Sequence, residues 1–213
     1  MYLFNQITKL IVLILILGSF ARAQDADPRI EEENTFTKET SGKDHQWLIN
    51  FGYVSWEEQL TVNSATASDW GVANFSGNLI SIDRESYFST APHHGVIYEA
   101  GLLYGVVDAQ DKGGLLTYSV ANISYSAEEI SYRYLYRFTS KVAMSVGPIL
   151  MARQVTLGSV GNGTSATSGN NFNYGAIFDA RATLFPKFDF IMTGGTLLSN
   201  ASTLWGLSIG YLF

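Results

Sequence analysis

The chain contains three imidazoles, His45, His93 and His94, and no cysteine. Without thiols it can form neither a disulfide nor a thiolate metal site. The His93-His94 pair lies in Ser89-Thr-Ala-Pro-His-His-Gly95, whose Ser, Pro and Gly content predicts a turn. Two adjacent ligands leave a tetrahedral ion half-bound, so the pair is read as a plain turn. No His/Ser/acid arrangement can be assembled downstream of it. Gly113-Gly114 fits a turn and not a phosphate cradle, because no strand–loop–helix context surrounds it. Asn162-Gly-Thr164 and Asn200-Ala-Ser202 match a glycosylation pattern too short to carry weight. The expectation is no catalytic residue, no metal ligand and no cofactor.

The other chemistry lies in the charges. Glu99, Arg133, Arg137, Asp179 and Arg181, together with Asp189, fall on one parity of segments that alternate large apolar with small or polar residues. Alternate side chains of a strand point to opposite faces, so these charges would share one side of a sheet. A buried charge is costly unless paired, and the cluster is expected to form salt bridges. The competing expectation is a narrow ion path or gate lined by the same residues.

The alternation that places them starts at Gln46. Trp47, Ile49, Phe51 and Tyr53 share a face, which predicts a strand between two unlike environments. Leu60 to Trp70 is polar and reads as a loop. Within Gly71 to Phe88 the parity changes from Phe75, Gly77 and Leu79 to Ile80 and Ile82, which a bulge would explain. Val96, Tyr98, Ala100, Leu102, Tyr104 and Val106 form the next apolar face, after which Asp108 to Gly114 breaks the pattern. Leu115 to Ser126 is weakly patterned and reads as a strand extension or a hairpin. Tyr132, Tyr134, Tyr136 and Phe138 make an aromatic row, and Val142, Met144, Val146 and Leu150 continue the face beyond a turn at Thr139–Lys141. Gly158 to Asn171 is a Gly/Ser/Thr/Asn loop. Phe172, Tyr174, Ala176, Phe178, Ala180 and Leu184 follow, then a turn at Pro186-Lys187, and Phe188, Phe190 and Met192. Ser199 to Thr203 turns into a last strand in which Trp205, Leu207, Ile209, Tyr211 and Phe213 face one way and Gly206, Ser208, Gly210 and Leu212 the other.

The start of the chain is different. Residues 1–23 read as a secretory signal peptide: Lys9, the apolar run Leu10–Leu17, and a small-x-small cleavage site at Ala21-Arg-Ala23. The run is too short for a membrane helix. Removing Lys9 and Arg22 takes the formal charge from −6 to −8, the wrong sign for a nucleic-acid partner. Residues 24–45 hold seven acids, Asp25 to Asp44, with few apolar residues, and read as a flexible acidic tail. Residues 46–213 form one domain. Aromatics at 14% against 15% charged residues suit strands that bury aromatics against something apolar.

A soluble lipocalin-like barrel would put apolar residues inside and polar residues in water. Here the second face carries Gly, Ser, Ala, Asn and charges of both signs, as the crowded lumen of a small barrel can hold. Connections also alternate short and long, as they do in outer-membrane barrels. With its leader and its terminal strand, the chain resembles the small outer-membrane barrels of the OmpA membrane-domain, OmpX and OmpW kind. The resemblance implies an all-β, closed antiparallel transmembrane β-barrel of about eight strands, with ten as the alternative. It implies that Trp205, Leu207, Ile209, Tyr211 and Phe213 act as the barrel-insertion signal. It also implies location in the outer membrane, with outer-membrane lipid, lipopolysaccharide, periplasmic chaperones and the barrel-assembly machinery as partners. The expected role is structural or surface-interacting, with Leu60–Trp70, Asp108–Ser126 and Gly158–Asn171 as outer loops. The alternatives are a narrow channel for ions or small apolar solutes and a soluble periplasmic binder.

Overall fold

The computed structural model describes residues 45–213 apart from Asn162, Gly169 and Asn170. The expected leader, and the expected acidic tail up to its last residue, lie outside the described residues. Ten strands run β1 His45–Asn63, β2 Ser68–Phe88, β3 Ala91–Asp111, β4 Ser119–Arg137, β5 Val142–Gln154, β6 Ser159–Val160, β7 Thr164–Ser168, β8 Phe172–Phe185, β9 Phe188–Leu197 and β10 Ser202–Leu212. Eight of them form an antiparallel ring in the order β1-β2-β3-β4-β5-β8-β9-β10, closed by β10 on β1 from Leu48↔Leu212 to Trp56↔Leu204. This is the eight-strand architecture expected. The other two strands form a hairpin outside the ring, and β7 pairs with the far end of β1, Leu60 to Asn63.

The ring has a turn end and a loop end. At the turn end the connections are short. Thr139 Oγ1 accepts the amides of Lys141 and Val142, both at 3.1 Å, and Lys187 takes a left-handed φ of 73° next to Pro186. The wall is uneven. β1 to β4 are 19–21 residues long, whereas β5 and β8 to β10 are 10–14. The first four strands therefore rise past the ring as a projecting sheet, and the β6–β7 hairpin takes over from β10 as neighbour of β1.

Apart from Phe75 and Leu79, the apolar faces read from the sequence point out of the ring: Phe51, Leu102, Val146 and Ile209 are 58, 63, 54 and 55% exposed. The interior is not uniformly small and charged, which corrects the expectation. Charged residues fill its turn-end half, and Trp56, Phe75, Leu103, Tyr125, Met151 and Leu197 fill the half above. Trp56 stacks on Phe75 at 4.8 Å, and Tyr125 meets both edge-on.

Three further readings change, and the reading of Leu115–Ser126 as a strand extension or a hairpin resolves to the extension. β2 has no bulge at Leu79/Ile80: Phe75, Gly77 and Leu79 point inward, Ile80 and Ile82 outward, in unbroken alternation. Leu60–Trp70 is not a loop, because Leu60 and Val62 are inward residues of β1 and only Ser64–Ala67 turns. Leu115–Ser126 supplies the upper end of β4 from Ser119, a strand extension without a hairpin. Its irregularity is a register shift between Val107 and Ala109, with Asn122 at φ 56° donating its amide to Asp108. His93 and His94 lie in β3, not in the turn, which is reduced to Ser89-Thr90.

The aromatic layer needs glycine beneath it. Gly77, Gly105 and Tyr125 are successive partners across β2, β3 and β4. A Cβ on Gly105 would stand 2.0 Å from the Ser76 carbonyl oxygen, and one on Gly77 2.7 Å from the Tyr125 hydroxyl. Gly105→Val is expected to cost at least the roughly 1–3 kcal/mol of an overpacked core. A lower urea midpoint of the folded chain in detergent, read from its gel shift on boiling, checks this.

Candidate functional site: the charged lumen

The alternation of β2, β3, β4, β5, β8 and β9 aims one polar row from each strand at a common axis. Arg133 of β4 forms salt bridges with Glu99 of β3 at 2.6 Å, Asp83 of β2 at 3.5 Å and Asp179 of β8. Arg181, two residues beyond Asp179, reaches Asp83 at 2.6 Å, Glu85 at 2.7 Å and Asp179 at 3.6 Å. Arg137 pairs with Glu85 at 2.9 Å and donates to the Tyr87 hydroxyl at 2.6 Å; that hydroxyl in turn donates to Glu85. Hydroxyls complete the set. Ser145 and Thr193 donate to Asp179, and Ser81 and Ser131 to Glu99. Asn50 of β1 donates to Ser81 at 3.1 Å. The network thus spans the barrel from β1 to β9.

Of the charges singled out from the sequence, Glu99, Arg133, Asp179 and Arg181 meet directly, and Arg137 joins through Glu85. Asp189 stands apart, accepting the Thr183 hydroxyl at 2.7 Å. Asp83, Glu85 and Glu129 also belong to the interior and were missed. The first two carry the inward parity of β2, which the supposed bulge concealed, and Glu129 carries the parity of Arg133.

A second buried pair lies nearer the loop end. Arg153 donates to Glu58 at 2.5 Å, and Glu58 also accepts Trp56 Nε1 at 2.8 Å and Asn173 Nδ2 at 2.9 Å. The Arg153 guanidinium lies 5.0 Å from the centre of the Phe75 ring. Neither Glu58 nor Arg153 was among the charges singled out by parity.

The remaining space is small. A cavity of about 20 Å³, lined by Glu99, Glu129, Arg133, Arg181, Asn50 and neighbouring aliphatic residues, holds about one water. The histidines are remote from it. His93 Nδ1 lies 3.1 Å from the Arg137 carbonyl at the turn end, and His94 stacks outside against Tyr134 and Tyr136. Among the described residues no group of three acidic or histidine side chains could hold a metal ion. Trp205, Leu207, Ile209, Tyr211 and Phe213 all face outward, between β9 and β1.

At the loop end Asp69 organises residues 112–118. Its carboxylate accepts the amides of Leu115 at 2.7 Å and Trp70 at 2.8 Å. The Leu115 amide, more than any other group, holds this carboxyl below its ordinary 3.8. Tyr118 closes the same loop by donating to the Leu157 carbonyl at 2.5 Å.

No protein-family model and no curated protein sequence matches the chain. Among solved structures it is similar to Ail, the attachment invasion locus protein of Yersinia pestis, at 14% identity over 80% of this chain and 100% of that one, with a TM-score of 0.45. It is similar to the outer membrane protein OprG of Pseudomonas aeruginosa at 12% identity, over 80% of this chain and 97% of that one, with a TM-score of 0.48. Neisserial surface protein A is a third, at 12% identity over 76% and 95%, with a TM-score of 0.36.

Two outcomes follow from this geometry. Arg181→Met leaves Asp83 only its longer contact with Arg133 and Glu85 only Arg137 and Tyr87, and should cost up to about 3–5 kcal/mol, as breaking a buried pair does; the exposed Arg84→Ala should change little. Urea titration of both variants in detergent makes the comparison. Asp69 has a depressed folded-state pKa, so the loop order it provides is complete above 3.8 and fades as pH falls through the folded value. Hydrogen exchange at the Leu115 amide should lose protection in that acid window, and Asp69→Asn should lose it at neutral pH.

Proposed function

We propose that the chain is an outer-membrane β-barrel with a structural or surface-interaction role and no conducting path. The observation that carries this reading is the lumen, crossed from β1 to β9 by paired charges and sealed above by the Trp56–Phe75–Tyr125 layer. Side chains filling an eight-strand interior leave no aqueous column.

The exterior supports the location. From Val96 to Val106 the outward positions rise about 25 Å, taking about 3.3 Å per residue and a tilt of about 40°. That matches the apolar band of an outer-membrane barrel. Above it the outward residues become polar, with Glu57 and Asp108 exposed. At the turn end Arg84 covers Trp47 at 5.7 Å and Lys187 covers Tyr211 at 5.9 Å. Aromatic rings with snorkelling cations suit a headgroup interface. A soluble binder would need the reverse, an apolar interior and a polar exterior. With the channel closed, the work falls to the projecting sheet of β1–β4 and its loops. Assembly through the chaperones and barrel-insertion machinery, with β10 as the signal strand, belongs to the same reading, as does contact with lipopolysaccharide. Catalysis has no place in it, since both described histidines of β3 lie at the turn end.

Cell fractionation and planar-bilayer recording test the proposal together. A heat-modifiable band in the outer-membrane fraction and no conductance steps over many insertions are expected. Regular steps in the purified wild-type chain would favour the narrow channel, and recovery from the soluble periplasm would overturn the location.

A further inference from the structure

The outward-facing charges of the wall are sorted by height. Arg84, Lys141 and Lys187 lie at the turn end, and Glu57 and Asp108 towards the loop end. Arg84 and Lys187 are exposed, and neither forms an ion pair with an acid of the described residues. Each covers an aromatic ring instead, Trp47 at 5.7 Å and Tyr211 at 5.9 Å. These rings stand on β1 and β10, the strands that close the barrel. The Phe213 amide donates to the Trp47 carbonyl at 3.1 Å, and the Leu212 amide to the Lys187 carbonyl at 2.8 Å. Since β2, β1, β10 and β9 are successive neighbours, the two cations flank the closing seam three strand spacings apart, about 14 Å. Above them the same wall is apolar and exposed. Ile82 and Ile80 follow Arg84 on β2, Phe51 lies above Trp47 on β1, and Ile209 follows Tyr211 on β10. Cations without acids, set beneath an apolar wall, complement a molecule with an anionic head and hydrocarbon tails.

We propose that the β1–β10 seam binds anionic glycerophospholipid of the leaflet at the turn end. One phosphate sits at Arg84 and one at Lys187, with acyl chains along Ile80, Ile82, Phe51 and Ile209. Short connections face the periplasm in outer-membrane barrels, so this is the periplasmic leaflet. Guanidinium and ammonium groups donate charge-assisted hydrogen bonds to phosphate. Trp47 and Tyr211 hold both cationic heads at headgroup level. Lipid held at β2 and at the β8–β9 turn braces the seam from outside. The inference rests on the outer-membrane location and names the lipid chemistry that this location supplies.

The test is native mass spectrometry of the full folded chain in detergent, with phosphatidylglycerol or phosphatidylcholine added. The wild type should retain phosphatidylglycerol in preference. Arg84→Gln and Lys187→Asn should each weaken that retention about fivefold. Asparagine suits the left-handed φ of 73° at position 187. Lys141→Gln, equally exposed but across the barrel between β4 and β5, should change nothing, which separates the seam from a general effect of charge. In phosphatidylcholine vesicles, adding phosphatidylglycerol should raise the wild-type gel-shift midpoint by about 3 °C or more. The double variant should lose that rise, and comparing the two lipids within each variant cancels any change in the barrel itself. Equal retention of the two lipids by the wild type overturns the proposal. So does an undiminished preference in the double variant, or an equal loss in Lys141→Gln. Competition by glycerol phosphate at equal concentration also overturns it, because the apolar wall would then add nothing. A chain recovered from the soluble periplasm fails the location, whereas an outer-membrane chain without lipid preference fails this inference alone.

Discussion

Eight strands closed on themselves leave a lumen only a few side chains across, and every inward residue must meet another inward residue. That constraint governs the rest of the molecule. It forces Arg133 and Arg181 into contact with carboxylates from β2, β3 and β8, because no water column is wide enough to solvate them separately. It also sets the glycine positions. A side chain on Gly77 would meet the Tyr125 hydroxyl, and one on Gly105 would meet the Ser76 carbonyl and the Gly77 backbone.

The interior is therefore layered by polarity along the axis, and the layers differ in what they contribute. The charged half is expensive to desolvate and contributes little net stability once paired, but removing one partner leaves the others exposed to that cost. The aromatic half excludes water at lower electrostatic cost, through apolar area and offset ring contacts. Glu58 and Arg153 place one further charge pair within that apolar layer, with Trp56 and Asn173 filling the remaining acceptor sites of Glu58. A closed barrel can tolerate such a pair only because the strands on all sides supply partners.

The same layering explains what was legible in the sequence. Through the apolar band the exterior is bulky and the interior small or charged, and there the alternation of β3, β5, β8 and β10 gave faces and turns directly. Beyond the band the exterior turns polar while the interior becomes apolar. The amplitude of the pattern then reverses without any change in geometry. Phe75 to Leu79 against Ile80 and Ile82 looked like a bulge for this reason, and Leu60 and Val62 looked like scattered apolar residues in a loop. Asp83 and Glu85 went unnoticed for the same cause. Pairing was beyond reach altogether: parity shows that Arg181 and Glu85 point inward, but which strands sit opposite depends on closure and stagger.

The unequal wall is the last consequence. β1 to β4 continue past the point where β5 and β8 to β10 stop, so an inward apolar row, Leu60, Val62, Ala73, Val107 and Ala109, loses the opposite side of the ring. An apolar sheet face cannot stand open to water at that size without cover. The long connection between β5 and β8 supplies it. Leu157 and Ala166 are buried against this row, and β7 pairs with β1 where β10 has ended. Tyr118 from the loop between β3 and β4 ties the cover down through the Leu157 carbonyl, and Asp69 orders the same loop from β2. The Gly/Ser/Thr-rich stretch that reads as a free loop is thus in part a lid on the projecting sheet. Its conformation is coupled to the barrel through backbone pairing and one buried phenol, which makes the loop end a shaped surface of defined residues.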